Sequence, residues 1–496
     1  MPPPGSVDVA ILGGGPAGAV AAHLLAGWGF NVDLLTRPPH ARALAESLPP
    51  SVGKLLDHTG LRTPIDAAGF LRSTGNTVWW GPVADRAEPF GEGAPGYQVP
   101  RDRFDRLLLD QAAGSGARVR RRAVVREVLA PADPGRPATV RFDTGGRARS
   151  LDARWVLDCT GRAGLTARQG ARQLEPGLRT MALVGVWDRP GVWPVAEASH
   201  TLVESYGDGW AWSVPVSMER RYVAVMVDPT VTALHGRGEL AAAYRRELGR
   251  TARLGPLLAG ARLAGRPWAR DASPYSSATP GRPGHLLVGD AASFTDPLSS
   301  FGVKKAIASA WLAAVVVRTS LEDPGLASAA LELYNRRERA IMETLRARSS
   351  EFARAAAGSH AGDFWARRAD REDGEVSGEP DVGALRQDPA VLAAFAELKG
   401  RDQVILRPAS GVRREPRPAI LADRVVLREH LLLSGFPDGL RWLRNIDLVH
   451  LLDLARTTGD VPQLFEGCRR QTPEGSLPDF LGALSVLIAQ GALEFA

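Results

Sequence analysis

Residues 7–18 read Val-Asp-Val-Ala-Ile-Leu-Gly-Gly-Gly-Pro-Ala-Gly. Val7–Leu12 is mostly apolar and β-branched, the pattern of a strand buried on both faces of a parallel sheet. The run stops at Gly13, a helical pattern follows to about Trp28, and Asn31–Leu35 reads as a second strand. Between the first strand and the helix lies a Gly-x-Gly-x-x-Gly. In such a turn Gly13 permits the sharp bend, Gly15 lets backbone approach a pyrophosphate, and Gly18 lets helix and strand pack closely. Pro16 and Ala17 open a helix whose first N–H groups face the phosphates. The strand–turn–helix–strand context predicts a dinucleotide cradle. One position departs from the pattern: the second strand ends Leu35-Thr36-Arg37, where an acid for the ribose hydroxyls is expected. Thr36 is a weaker acceptor there, Arg37 lies near the adenosine, and Asp33 falls too early and faces the sheet.

The chain has 496 residues, enough for a large domain with additions or two to three domains. Its 44% hydrophobic and 23% charged residues describe a globular protein. The net charge of +6 is spread along the chain, with Arg far outnumbering Lys. Nucleic-acid binders concentrate such charge on one face, so no nucleic-acid partner is expected. Cys159 and Cys468, the only cysteines, form neither a CxxC pair nor a metal-ligand spacing. No metal site and no disulfide framework are expected. The apolar run from Val7 to Phe30 is broken by Gly and Pro, and no signal-peptide pattern precedes it. The sequence reads as cytoplasmic, with no membrane partner.

Three later stretches specify the dinucleotide. Val99-Pro100-Arg101-Asp102-Arg103-Phe104-Asp105 opens a helix; Trp155-Val156-Leu157-Asp158-Cys159-Thr160-Gly161-Arg162 ends a strand. The third runs from His285 through Gly289-Asp290 to Asp296-Pro297 and Ser300-Phe301-Gly302-Val303-Lys304-Lys305. Together, in this order, they resemble the FAD-dependent class A monooxygenase and halogenase superfamily over roughly residues 6–350. The resemblance implies an α/β (mixed α+β) fold: a Rossmann-like FAD-binding domain at 1–180 and 270–357, with an inserted antiparallel-sheet substrate domain at 181–269. It assigns Arg101 to the FAD linker and Val125 to an adenine contact. Asp290, at a strand's C-terminal edge, would bond the ribityl hydroxyls. The turn at Pro297 leads to a helix starting at Gly302 and Val303, whose N-terminus would face the flavin pyrimidine and favour the charge of reduced flavin. One fingerprint holds one dinucleotide, so electrons would come from transiently bound NAD(P)H or a separate flavin reductase, with O2 as co-substrate.

Several features resemble the halogenase branch. They are Asp158-Cys159-Thr160-Gly161, Glu46-Ser47-Leu48-Pro49-Pro50 beside the flavin, and Trp210-x-Trp212-x-Val214-Pro215. In that branch the tryptophan motif is thought to keep substrate from the flavin, although two Trp at i and i+2 also simply pack on one strand face. Two features point away from halogenation. The segment Phe70–Trp80 lacks the lysine that captures hypohalous acid, and Arg72, nearest its place, stays protonated. Phe301 separates Ser300 from Gly302 where halogenases hold a small-residue halide pocket. With Gly75-Asn76 before Trp80-Gly81, these residues are more similar to the flavoproteins of tryptophylquinone biogenesis in quinoprotein amine dehydrogenases and amino-acid oxidases. That resemblance implies hydroxylation of a Trp side chain in a protein or peptide substrate through a C4a-hydroperoxyflavin. Lys304 is the candidate for stabilising the developing charge, with Trp210, Trp212 and Phe301 around the reacting ring; Lys305 reads as a solvated residue at a helix start. The alternatives are a halogenase of indole or pyrrole, which a lysine reaching the flavin tunnel would favour, a geranylgeranyl-reductase-type oxidoreductase, and a non-enzymatic FAD-bearing assembly partner. No histidine stands out as a general base.

Residues 358–384 are polar, charged and Gly-rich and read as an exposed linker. Beyond them, 385–496 turns globular: strands at Arg417–Leu421 and Val425–Leu427, helices at Asn445–Arg456, Val461–Cys468 (capped by Asp460) and Pro478–Ala492. This order resembles a mainly α, winged-helix-like module, similar to small peptide-recognition domains, which commonly bind by strand addition.

Overall fold

The computed structural model describes residues 6–38, 42–81, 83–91, 95–130, 136–168, 170–232, 239–299, 301–370, 385, 387–472 and 475–496. Two compact units divide the chain: Met1–Glu322 with Tyr334–Val376, and Asp323–Leu333 with Ser377–Ala496. Among the described residues no helix is long and apolar enough to cross a membrane.

Beside two smaller sheets, the first unit is built, among the described residues, on two eight-stranded sheets. In one, five strands run parallel in the order His285–Leu287, Arg147–Asp158, Ser6–Leu12, Val32–Thr36 and Arg118–Arg121. Ser6–Leu12 lies at the centre, which explains its apolar run: Val9, Ala10, Ile11 and Leu12 have no exposed surface. Because its neighbours follow it in opposite directions, the glycine turn at its end sits at the switch point where α/β sheets bind ligands. The helix after it, Pro16–Gly27, is rich in alanine and buried along most of its length. Pro16 pre-sets the first turn, and no side chain caps the first N–H groups.

The other sheet orders its strands Arg262–Leu263, Met181–Asp188, Arg220–Val227, Gly209–Pro215, Thr201–Tyr206, Gly75–Trp80 and Val83–Pro89. Only the Thr201–Tyr206 and Gly75–Trp80 pair is parallel. The substrate sheet is thus not confined to 181–269: a hairpin from the first hundred residues extends it. Alternation gives the sheet two buried faces. Leu183, Ala211, Val223 and Val225 pack with Tyr244 of the helix Glu239–Leu248. Val184, Trp210, Ala224 and Met226 face the opposite way, onto Trp80, Phe364 and Trp365.

That second cluster corrects the linker expectation. Residues Asp363–Ala369 form a helix, and Trp365 within it has no exposed surface. Its indole N–H donates to the Tyr206 carbonyl at 2.8 Å, and its ring meets Trp80 edge-on at 5.2 Å. The rest of the expected linker, 371–384, lies outside the described residues.

In the second unit, strands Arg413–Leu421, Arg424–Leu433 and Phe436–Leu440 form a meander packed, among the described residues, with four helices. Asp460 accepts from the Gln463 N–H and starts Val461–Gln471, while Asp447 and Ser476 start Leu448–Leu454 and Leu477–Ala489. The expected strands are longer than read, and Phe436–Leu440 was hidden by Pro437 and Gly439, which break a strand pattern. Arg413–Leu421 is an edge strand containing Pro416 and Pro418. A proline nitrogen has no hydrogen to donate, and edge prolines turn that nitrogen outward, so this edge is poorly suited to strand addition.

Candidate functional site

The glycine turn is shaped by contacts only glycine allows. Gly13 has φ +106°, and a Cβ there would stand 2.4 Å from the Cys159 carbonyl oxygen. A Cβ on Gly18 would lie 1.9 Å from the Gly13 oxygen. Gly15 is different: a Cβ there would meet only the Arg101 Nη2, at 3.7 Å, so this glycine keeps open space in front of the helix. Arg101 opens the helix Arg101–Gly114 and is clamped on two carboxylates. It donates to Asp105 at 2.9 and 3.1 Å and to Glu46 at 3.3 Å. Burial pushes the Glu46 and Asp105 carboxyls up, with Arg101 opposing; burial alone would lower Arg101, but Asp105 and Glu46 hold its guanidinium above its usual value.

Ser47 sits beside Glu46 on the strand Ala45–Leu48, half-buried. Thr36 ends the second parallel strand with its Oγ1 against Gly14 and donating to the Arg37 carbonyl at 3.3 Å; Arg37 is exposed. Asp33 is 1% exposed and pairs with Arg120 at 2.7 Å and Arg118 at 3.3 Å across the sheet, which explains why it is no ribose acid. Val125 is half-buried against Ala123, Val140 and Phe142.

Asp290 lies in the turn Gly289–Ala291 that ends the strand His285–Leu287. Its charge raises the Glu46 carboxyl and supports Arg101, so the glycine turn, the 46–101 pair and this loop share one electrostatic site. Tyr275 donates to the Asp290 carbonyl at 2.6 Å. Above Tyr275 and Phe294 lies Arg162, 3.7 Å from the Phe294 ring centre, with its Nη1 buried and, among the described residues, without a hydrogen-bond partner. Burial lowers its guanidinium, while Tyr275 and Asp290 oppose the shift.

The turn Pro297–Ser299 leads to the helix Gly302–Glu322. Among the described residues nothing stands within 4 Å of a Cβ on Gly302, and Val303 is buried. Ser300 lies outside the described residues. The Phe301 ring carries Lys304 Nζ at 4.9 Å and the Arg348 guanidinium at 5.4 Å. Lys304 donates to Ser51 Oγ at 3.0 Å, next to the Glu46–Pro50 segment; burial and Arg348 pull its ammonium down. Lys305 is not solvated, as its place near a helix start implied, but 6% exposed. Its Nζ turns back onto the carbonyls of Gly289 and Ser293.

Trp210 is 1% exposed and meets Trp80 edge-on at 6.3 Å; Trp212, two residues on, packs half-buried on the same cluster. The pair is packed into a core face. The Trp210 indole N–H closes no hydrogen bond but faces the Asp296 carboxyl. Burial pushes that carboxyl up to about 6, against the buried Arg368, the Leu298 N–H and Trp210. Asp296, Arg162 and Lys305 are the site residues that sequence reasoning left unassigned or misread. Asp296-Pro297 stood in the motif, yet nothing in its spacing shows that Arg368 would come to face it. Arg72 donates to Asp66 at 2.6 Å and lies 4.5 Å over the Tyr97 ring.

The open cradle at Gly15, the clamped Arg101, the Asp290 carboxylate and the open helix start at Gly302 fit FAD. A family of FAD-binding domains matches residues 6–349, and the chain belongs to it, within the superfamily of FAD-dependent monooxygenases and halogenases. A tryptophan 2-halogenase of Chondromyces crocatus is 30% identical over 353 residues, covering 67% of this chain and 65% of that protein. Among solved structures, the flavin-dependent halogenase CmlS is 24% identical with TM-score 0.78, covering 99% of this chain and 96% of its own. QhpG, a peptidyl tryptophan dihydroxylase essential for tryptophylquinone cofactor biogenesis, is also 24% identical, with TM-score 0.68 and coverage of 98% and 99%.

Proposed function

We propose that this chain is an FAD-dependent monooxygenase that hydroxylates an aromatic ring, the indole of a tryptophan within a protein or peptide. One observation carries the choice of oxygen over halide. Where the resemblance expects a nucleophilic amine, Arg72 is locked onto Asp66 and Tyr97, and a guanidinium cannot form a haloamine adduct at neutral pH. FAD, once bound and reduced by NAD(P)H or a separate reductase, supplies two electrons and the activation of O2. One oxygen atom enters the ring as C–OH and the other leaves as water. Arg101 and Asp290 would hold the cofactor, and the packed cluster of Trp80, Trp210 and Trp365 stiffens the substrate sheet without itself lining an open cavity. The reading of a polypeptide substrate is drawn from QhpG, which aligns along almost the whole length of both chains, as the halogenase CmlS also does.

Halogenation of an indole or pyrrole is the second reading, favoured by Lys304, whose amine reaches Ser51 beside the Glu46 segment. High-resolution mass spectrometry separates the two. Reduced protein is mixed with O2, bromide and either a Trp-bearing peptide or free tryptophan. A gain of oxygen on the peptide, with bromide ignored, is the expected result. A brominated indole refutes the hydroxylase reading, and peroxide release with neither product favours the reductase-type alternative.

A further inference from the structure

The loop 287–293 is held from beneath by polar side chains of three elements. Tyr334 donates to the Leu287 carbonyl at 2.6 Å, Ser309 Oγ accepts from the Gly289 N–H at 2.8 Å, and Tyr275 donates to the Asp290 carbonyl at 2.6 Å. The fourth is Lys305, the only cation among them. Its Nζ donates to the Ser293 carbonyl and, at 3.4 Å, to that of Gly289, and it stands 3.9 Å from Asp290 Oδ1. Glu338, 2% exposed, feels the same charge: burial pushes its carboxyl up, and Lys305 opposes the shift.

A buried ammonium is costly to desolvate and persists only with partners that compensate it. Two neutral carbonyls and a carboxylate at 3.9 Å, all on the loop that presents Asp290, do this here together with the buried Glu338. We propose that Lys305 is the positioning residue of the cofactor site: it fixes Asp290 toward the flavin and leaves a fixed positive charge beneath the cofactor. The proposal rests on the assignment of Asp290 to FAD, and it goes beyond packing because the charge favours the reduced, anionic flavin over the oxidised one.

The experiment uses the full-length holoprotein and the variants Lys305→Met, Lys305→Arg and Asp290→Asn. FAD dissociation is followed by flavin fluorescence, and the midpoint potential by dye-equilibrated reduction. Lys305→Met is expected to weaken FAD binding about tenfold and to lower the preference for reduced flavin by a further factor of about ten. That second factor is a fall of ~30 mV in a two-electron couple. Lys305→Arg, which keeps the charge, is expected to restore most of the potential. If Lys305→Met loosens FAD but leaves the potential unchanged, Lys305 is a structural strut and the proposal is wrong; unchanged affinity and potential also refute it. Should Met at 305 prevent folding, Lys305→Gln, neutral but still a donor, carries the same two readouts. Asp290→Asn separates the premise from the proposal. Unchanged FAD binding in Asp290→Asn overturns the assignment of Asp290, whereas loosened binding there beside an unaltered Lys305→Met overturns the role of Lys305 alone. Neither readout depends on whether the product is hydroxylated or halogenated.

Discussion

Replacing Asp296 by Asn is expected to remove a pH-dependent loss of stability. The carboxyl titrates near 6 in the folded chain against an ordinary 3.8, because burial penalises its charge more than Arg368, the Leu298 N–H and Trp210 repay. A carboxyl whose folded pKa is raised stabilises the fold relative to its ionised form below its unfolded pKa, and loses that contribution as pH rises through the folded value. The loss therefore falls between about pH 4 and pH 6. At ~1.36 kcal/mol per pKa unit, the rise from 3.8 to about 6 is worth up to ~3 kcal/mol. Asp296 is half-buried by surface although its carboxyl is hemmed in, and water reaching it reduces the expected effect to about 1–3 kcal/mol. Asp296→Asn resembles the protonated acid, so it should match the wild type near pH 4 and exceed it above pH 7. Urea unfolding of both proteins, followed by tryptophan fluorescence from pH 4 to 7.5, gives the difference with the other titrating groups cancelled. A difference that stays flat, or that shifts toward the wild type as pH rises, would refute the reasoning.

Trp365→Ala should cost about 3–5 kcal/mol in the same unfolding assay, because it opens a cavity beside Trp80 and removes the bond to Tyr206; a loss under 1 kcal/mol would mean the helix Asp363–Ala369 is peripheral. Gly18→Ala should abolish FAD retention on a desalting column, since a Cβ 1.9 Å from the Gly13 oxygen cannot be accommodated; Gly27→Ala, with nothing within 4 Å, should retain FAD and match or exceed wild-type stability by up to ~1 kcal/mol.

The glycine turn was legible because its constraints are local. Gly13, Gly15 and Gly18 lie within six positions of one another; Gly13 makes the bend at φ +106°, Gly18 lets helix and turn meet, and Gly15 leaves open space before the helix. Helix starts were legible for the same reason: Asp460 caps the helix that follows it directly. What escaped was set by partners distant in sequence. Trp365 sits among charged residues that read as linker, and only the arrival of Trp80 and Tyr206 makes a core there. Lys305 misled because its partners are backbone carbonyls, which no side-chain pattern reports. Pro437 and Gly439 hid a strand that pairs through its neighbours.

The tryptophan motif of Gly209–Pro215 bears on the reaction less than its resemblance implies. Trp210 and Trp212 share a strand face, and that face is occupied by Trp80, Ala224 and Met226. Their large rings fill the space between the substrate sheet and the segment that carries Phe294, Asp296 and Leu298. Such a filler serves any chemistry that needs a dry cavity beside a flavin, whether oxygen or halide is transferred. The choice between the two must then rest on the few residues that can bind or repel the transferred group. Arg72 is held by Asp66 and Tyr97, Phe301 lies under two cations, and Lys304 offers an amine pulled below its usual range. The held guanidinium and the bulk of the Phe301 ring oppose halide transfer, whereas the Lys304 amine and the positive charge it shares with Arg348 beside that ring favour it. The proposal of oxygen transfer rests on where the amine starts: Lys304 belongs to the helix Gly302–Glu322, not to the strand Leu71–Ser73 where the halogenase resemblance expects it.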